Sequence, residues 1–419
     1  MGVSMKRMKI SNAMNASKQS QVNISLVFNY LRENLSANRS RIAEDLGLSI
    51  PAVSRAVDFL EETNRITPLK DSNSSARRGT PVYAINEGFG YIIAIDLFQN
   101  FSTAVIVDYS VHIKSRLKGF HSNSSQDIKR DLFKMIDSSI DQYKSESPSS
   151  EGGLKAIGIG VPAVVNQTTD KLQMVYYESM KEVQLREVIE NRYGVPVFVE
   201  NICSLSAFAE KKKMKEASPQ TLIFVEIGNC IGSGILLDGK VYRGNGFAGE
   251  IGYSLIGLEH TGYLGRKKDY LENNASLSAL RQNILRELAC GVDSSLAGIY
   301  KEDKESITPE LIFRDAAKGD SLCRNEIAEI LNFFIPALHN MIVMLNPEVI
   351  ILGGDICFLP EIDNLFVKPI KESLSRSLPF PIPEIGISTL GSEAGILGAA
   401  ALAVDSLLLE EFPYLSTTV

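Results

Sequence analysis

The sequence predicts an α/β protein in two parts: a small helical head with a β-wing, followed by a duplicated α/β domain with a cleft between its lobes. Three observations carry this. Apolar residues recur at helical spacing between residues 21 and 60, strand-like runs joined by short turns begin at residue 91, and the pattern of strand meander followed by helices occurs twice. With 419 residues, 44% hydrophobic and 22% charged, the chain is long enough for two or three domains around a substantial core. No stretch approaches about 18 uncharged apolar residues, so no membrane span is expected. The polar start "MGVSMKRMKISNAMNASKQS" lacks the apolar centre of a signal peptide and reads as a flexible tail over 1–20. Five cysteines without a CxxC pair fit reduced thiols and a cytoplasmic location. Charge is uneven: residues 1–88 hold 12 Lys+Arg and 8 Asp+Glu, a net +4, while the remainder carries −11. A basic head on an acidic body suits a polyanion-binding module.

Taken in order, "QVNISLVFNYLREN" (21–34) places Val22, Ile24, Leu26, Val27, Tyr30 and Leu31 at helical spacing. In "NRSRIAEDLGLSIPAVSRAVDFLEETNRI", Ile42, Ala43 and Leu46 form one helix face that Gly47 ends in the left-handed conformation. Ser49 is placed to cap the next helix, and Pro51 falls in its first turn, where a missing N–H does no harm. Two helices across a short glycine turn form the helix-turn-helix pattern, and "RITPLKDSNSSARRGTPVYAINEG" adds two strands around a Ser/Arg-rich loop, a β-wing. The winged helix-turn-helix thus spans 21–88. Its second helix is expected in a DNA major groove, with Pro51, Ala52, Ser54 and Arg55 toward base edges and Ser40 and Arg41 near phosphates. Arg55 suits the O6/N7 edge of guanine, and Arg77 and Arg78 of the wing suit a minor groove or phosphate. A solvated "ARRG" loop and a protein-binding winged helix are the blander alternatives. Two-fold operators imply a homodimer or a tetramer.

Beyond the head, strands "YIIAID" and "KAIGIGVP", helices near 126–144 and 183–192, and strand "VPVFVE" make a first lobe over 89–200. Strand "TLIFVEI", a hairpin at Asp238-Gly239, helices near 276–289, 308–318 and 320–344, and strand "EVIILGG" make a second over 201–391. A final helix, 392–410, returns to complete the first lobe.

Five stretches, "AIGIGVPAVV", "VENICSLSAFAE", "IGSGILLDGKVYRGNGFAGEIGY", "LNPEVIILGGD" and "GSEAGILGAAALAV", resemble the ROK family of bacterial sugar kinases and sugar-responsive repressors. With the winged head, the likeness covers about 21–405 and is to the repressor branch that includes xylose-type repressors. The resemblance implies an actin-like ATPase (RNase H-like) fold, duplicated, with sugar held between the lobes. It also implies where chemistry has been lost. The family's catalytic aspartate follows an asparagine; here Asn201 is followed by Ile202, and losing a positioned base costs about 10²–10⁴-fold in rate. The first phosphate loop, Asp-x-Gly-Gly-Thr in family kinases, is "DLFQN", which keeps Asp96 but puts Phe98 and Gln99 at both glycines. The second is "GNCIG", with Asn229 and Cys230 intruding where backbone N–H groups would approach phosphate. The family's structural zinc takes one histidine and three cysteines, and those positions are Tyr253, Tyr263, Gly265 and Tyr270. No catalytic residue, zinc or ATP is therefore expected. Sugar contacts carried over position by position are Pro162, Ala163, Asn201, Glu250, Tyr253 and Glu272. The reading that follows is a sugar-responsive regulator, more in keeping with a repressor, that binds double-stranded operator DNA and a sugar or sugar phosphate, away from any membrane. Its alternatives are an ATP-dependent sugar kinase and a regulator whose cleft is empty and whose control comes from a partner protein.

Overall fold

The computed structural model describes residues 16–69, 80–97, 102–117, 128–146, 152–166, 169–175, 180–181, 183–214, 218–256 and 270–411. In the head, α1 (Ala16–Asn34) is followed by β1 (Ser36–Asn38), α2 (Arg39–Leu46), α3 (Ile50–Glu62), β2 (Ile66–Pro68) and β3 (Val82–Ile85). The side chain of Asn38 accepts a hydrogen bond from the Arg41 N–H and caps α2, and Gly47 ends that helix at φ 65°, the left-handed turn read from the sequence. Ser49 precedes α3 in extended backbone but makes no side-chain cap bond, so Pro51 in the first turn is the stronger start signal. The break between α1 and α2 is a strand, not a bare turn. β1 joins the wing as one edge of an antiparallel sheet in the order β1-β3-β2. Arg77 and Arg78 of the wing loop lie outside the described residues.

The body contains two five-stranded sheets of the same design. In the first, β4 (Tyr91–Leu97), β5 (Ser102–Val107) and β6 (Ile113–Leu117) form an antiparallel meander, and β7 (Leu154–Val161) and β10 (Val197–Asn201) add in parallel, giving β10-β7-β4-β5-β6. Between these last two, β8 (Val164–Val165) and β9 (Leu172–Gln173) pair as a small ribbon beside the cleft. In the second sheet, β11 (Leu222–Ile227), β12 (Ile231–Leu237) and β13 (Lys240–Val241) form the meander, with β14 (Val349–Gly353) and β15 (Glu384–Ile387) parallel to it, giving β13-β12-β11-β14-β15. The hairpin at Asp238-Gly239 turns with both residues at positive φ, as its sequence signals. The duplication extends to register: Asp96 on β4 faces Gly160 on β7, and Glu226 on β11 faces Gly353 on β14.

Helices cover the outer faces: α4 (Ile128–Glu146) and α5 (Leu185–Tyr193) on the first sheet, and α7 (Leu271–Ala275), α8 (Leu277–Ala289), α9 (Ala297–Glu302), α10 (Pro309–Ala317), α11 (Ser321–Leu345) and α12 (Lys368–Ser377) around the second. The two helices between the sheets are α6 (Ile202–Lys213), which leaves β10 yet packs on β11 and β12, and α13 (Ala394–Glu411), which leaves the second sheet yet packs on β4 and β7. Each thus completes the opposite half. "ICSLSAFAE" carries apolar or small residues on all sides because α6 is enclosed all round, and that erased the helical period by which it would have been recognised. α11 and α13 are each apolar enough over 18 residues to cross a membrane on length and composition. A simple search for unbroken apolar runs passes over them because polar residues interrupt both. Their apolar faces are spent in the core, α11 in the second half and α13 against the first sheet.

Close approach sets the geometry of this centre. A Cβ built on Gly398 of α13 would lie 2.0 Å from the carbonyl oxygen of Leu205 on α6, one on Gly158 of β7 would lie 2.3 Å from that of Ala399, and one on Gly234 of β12 would lie 2.1 Å from that of Cys203. Only glycine leaves room for these backbones to touch. The head is packed on the same centre: Val27, Phe28 and Leu31 of α1 share one apolar cluster with Val404, Leu407 and Leu408 of α13 and with β4 and β5. Phe28 meets Tyr109 edge-on at 6.0 Å, and Tyr109 meets Phe89 at 5.2 Å, fastening α1 to the turn after β5. Gly398→Ala is expected to destabilise the folded chain by about 1–3 kcal/mol through forced separation of α6 and α13, to be read from the midpoint of urea unfolding. The exposed Gly298→Ala, with open space around it, serves as the control.

Candidate functional site

The carboxyl ends of β4, β10 and β11 and the loop after β14 converge on a cavity of about 300 Å³. An open α/β sheet gathers ligands at such strand ends. All six residues singled out from the sequence for a sugar, Pro162, Ala163, Asn201, Glu250, Tyr253 and Glu272, line this one space, together with Asp96, Ile202, Ser233, Glu226 and Asp355.

Asn201 has two duties. Its side-chain oxygen accepts from the N–H groups of Cys203 (2.8 Å) and Ser204 (3.3 Å), capping α6, while its amide nitrogen donates to the carbonyl of Ala163 at 3.1 Å. One amide hydrogen remains for a ligand. Ile202, the first residue of α6, is a wedge: Cβ atoms built on Gly160 and Gly395 would lie 2.7 Å and 2.3 Å from its Cδ1. Its terminal carbons therefore pack between β7 and the start of α13 and offer the cavity no proton acceptor.

The acids make the site electrostatically unusual. Burial raises Asp96 to about 7, and its Oδ1, shielded from water, accepts no hydrogen bond among the described residues. Burial, then the nearby Asp355 and Asp96, raises Glu226 to about 7. Burial also raises Asp355, and burial followed by the Glu272 charge raises Glu250. Glu272 accepts from the Ile231 N–H at 3.1 Å, which fixes one oxygen on β12. Among the described residues lining the cavity there is no Lys, Arg or His. Such a surface offers acceptors, and protonated carboxyls as donors, to a neutral ligand rich in hydroxyls.

Sequence reasoning missed Glu226 and Asp355 as cavity residues, and it marked Glu200 at its strand end without foreseeing its partners. That last carboxylate is buried, accepts from the Asn201 N–H at 2.8 Å and binds Nε of Arg243 at 2.6 Å, linking the strand end of the first half to the glycine-rich loop of the second. The signal was present: "YIIAID", "VFVE" and "LIFVE" each end an apolar strand on one acid, and "IILGGD" does so two residues later.

Of the positions that the ROK resemblance sets against zinc ligands, Tyr253 and Tyr270 meet edge-on at 5.3 Å, and Tyr263 and Gly265 lie outside the described residues. In the head, Ser40, Arg41, Pro51 and Arg55 are exposed, whereas Ala52 and Ser54 are half-buried. Arg41 pairs with Asp45 at 3.6 Å, while Arg55 engages no partner among the described residues.

A family model described as the ROK family matches residues 92–406. A xylose repressor of Caldicellulosiruptor bescii is 27% identical over 400 residues, spanning 93% of this chain and 96% of the repressor. A glucokinase of Halalkalibacterium halodurans is 26% identical but spans 64% of this chain and 81% of its own. Among solved structures, a ROK family transcriptional regulator, a homolog of the E. coli MLC protein, superposes with a TM-score of 0.75 at 22% identity, covering 94% of this chain and 99% of that one.

Asp96 and Glu226 generate a pH prediction. Each has its folded value near 7 and its usual value near 4, so folding takes up protons between the two and stability falls as pH rises through that window. The melting temperature is expected to be higher near pH ~5.5 than near pH ~8, and Asp96→Asn should flatten that slope; differential scanning calorimetry across the range checks it.

Proposed function

This chain belongs to the ROK family, and on that footing we propose that it is a sugar-responsive transcriptional regulator, a repressor, acting in the cytoplasm on operator DNA. One observation carries the proposal: a cavity lined by hydroxyl-pairing groups but lacking a base at Ile202 abuts the start of α13, and α13 shares one apolar cluster with a winged helix-turn-helix head. The similarity to a xylose repressor along 93% of the chain, head included, supports the repressor reading. The exposed Arg55 on α3 supplies the base-edge contact, with Pro51, Ala52 and Ser54 beside it and Ser40 and Arg41 at phosphates. Two copies bind a two-fold operator. An occupied cavity favours a lobe arrangement with weaker grip on DNA, as any effector must if it binds the two states unequally.

The cavity binds without transforming. Ile202 accepts no proton, and Asn229 and Cys230 occupy the sequence positions where the second phosphate loop needs bare backbone; Phe98 and Gln99, at the glycine positions of the first, lie outside the described residues. Neither ATP nor zinc is required, since tyrosines and a glycine stand at the positions of the family's thiolates and imidazole.

Fluorescence anisotropy with palindromic fragments from upstream of its own gene tests the regulator reading. The protein is expected to retain one such fragment at moderate salt and to release it on addition of D-xylose or another member of a sugar panel. Arg55→Ala should weaken that binding by about 10- to 100-fold while leaving nonspecific binding nearly intact. Retention of no fragment would sink the reading. In a coupled ADP-release assay over the same panel, turnover is expected to stay at background, and sugar-dependent release abolished by Asp96→Ala would restore the kinase reading.

A further inference from the structure

One helix runs from the cavity toward the head. α6 begins at the cavity, where Asn201 caps it and Ile202 and Cys203 line the wall, and ends about 18 Å away in Lys211, Lys212 and Lys213. There Lys212 Nζ binds Asp405 Oδ2 of α13 at 2.7 Å, and the other oxygen of Asp405 accepts from Nη1 of Arg32 on α1, the head's first helix. Arg32 and Asp405 are largely shielded, at 10% and 23% side-chain exposure. Burial alone would raise the Asp405 carboxyl, but Arg32 and then Lys212 hold it below its usual value, so it stays ionised between two cations. α13 adds a second line along the same path, since its Gly395 touches Ile202 at the cavity and its Gly398 touches Leu205 one turn on.

We propose that Asp405 is the coupling node of this protein, a three-way ion pair through which the state of the α6 amino terminus at the cavity is transmitted to α1 of the head. This rests on the regulator reading for its purpose, but the physical coupling stands or falls by itself. Three features suit the node to the task. Asp405 is the one residue in the Arg32–Asp405–Lys212 set that touches both α1 and α6. Its pair with Arg32 joins elements from opposite ends of the chain, 373 residues apart. And the helix between cavity and node is clamped by backbone contacts at Leu205 and Cys203, so a shift at Asn201 moves α6 as a rod.

The test needs neither the effector nor the operator. In the full chain, Asn201→Ala removes the cap at the cavity end, and hydrogen exchange is followed in peptides covering 22–34 of α1. With the node intact, the cap variant is expected to speed exchange in α1 by about 3- to 10-fold, the scale of a lost cap carried across the protein. In the Asp405→Asn background, and again in the Arg32→Gln background, the same cap variant should change α1 exchange by less than about 1.5-fold. Should Asn201→Ala prove too unstable, Asn201→Gly gives the milder form of the same perturbation. An α1 that ignores the cap variant overturns the proposal, and so does an equal response with the node neutralised. Failure of DNA or sugar binding would instead count against the regulator reading and leave this measurement intact.

Discussion

The protein is organised by the contact between α6 and α13. Each helix is the covalent continuation of one half and the packing cover of the other, so neither half has a complete core without the other's chain. Glycines at the crossing bring the backbones within van der Waals touch, and in close-packed protein an interface of that kind has few alternative arrangements. The cavity lies at the amino ends of both helices and the head rests toward their far ends, so binding space and nucleic-acid module are mounted on one rigid pair.

Much of this was legible in the sequence, for identifiable reasons. Gly47 marked the end of α2, Asp238-Gly239 marked a hairpin, and the two meanders announced a duplicated sheet because apolar runs of strand length are separated by short connections. What escaped notice is equally physical. α6 was hidden because a helix buried on all sides loses its amphipathic period, and β1 was hidden because three residues are too few to show one. Within the cavity, family likeness brought six residues to one place, yet Glu226 and Asp355 passed unremarked because carboxylates at strand ends look like ordinary polar caps until the sheets are superposed. The symmetry of Asp96 and Glu226, each opposite a glycine on the neighbouring parallel strand, becomes visible only through register.

Ile202 has a structural role at the edge of the cavity. Where the ROK resemblance puts an aspartate, the aliphatic side chain fills the junction of β7, α6 and α13 and stiffens the point from which both helices depart. The acids of the cavity have no cation among the described lining residues, and Asp96 keeps a shielded oxygen with no hydrogen-bond partner among them. A ligand able to satisfy that oxygen would relieve an existing penalty as well as add new contacts.

The double duty of Asn201 has an evolutionary corollary. A residue that holds a helix start and also lines a cavity is poorly placed to drift, since any change that reshapes the cavity there also loosens the scaffold. Adaptation to a new small molecule has freer ground on the opposite wall, where Glu250 and Tyr253 sit on a glycine-rich loop that bears no helix cap of its own. Designers of biosensors from this scaffold would do well to diversify that wall and leave the asparagine alone.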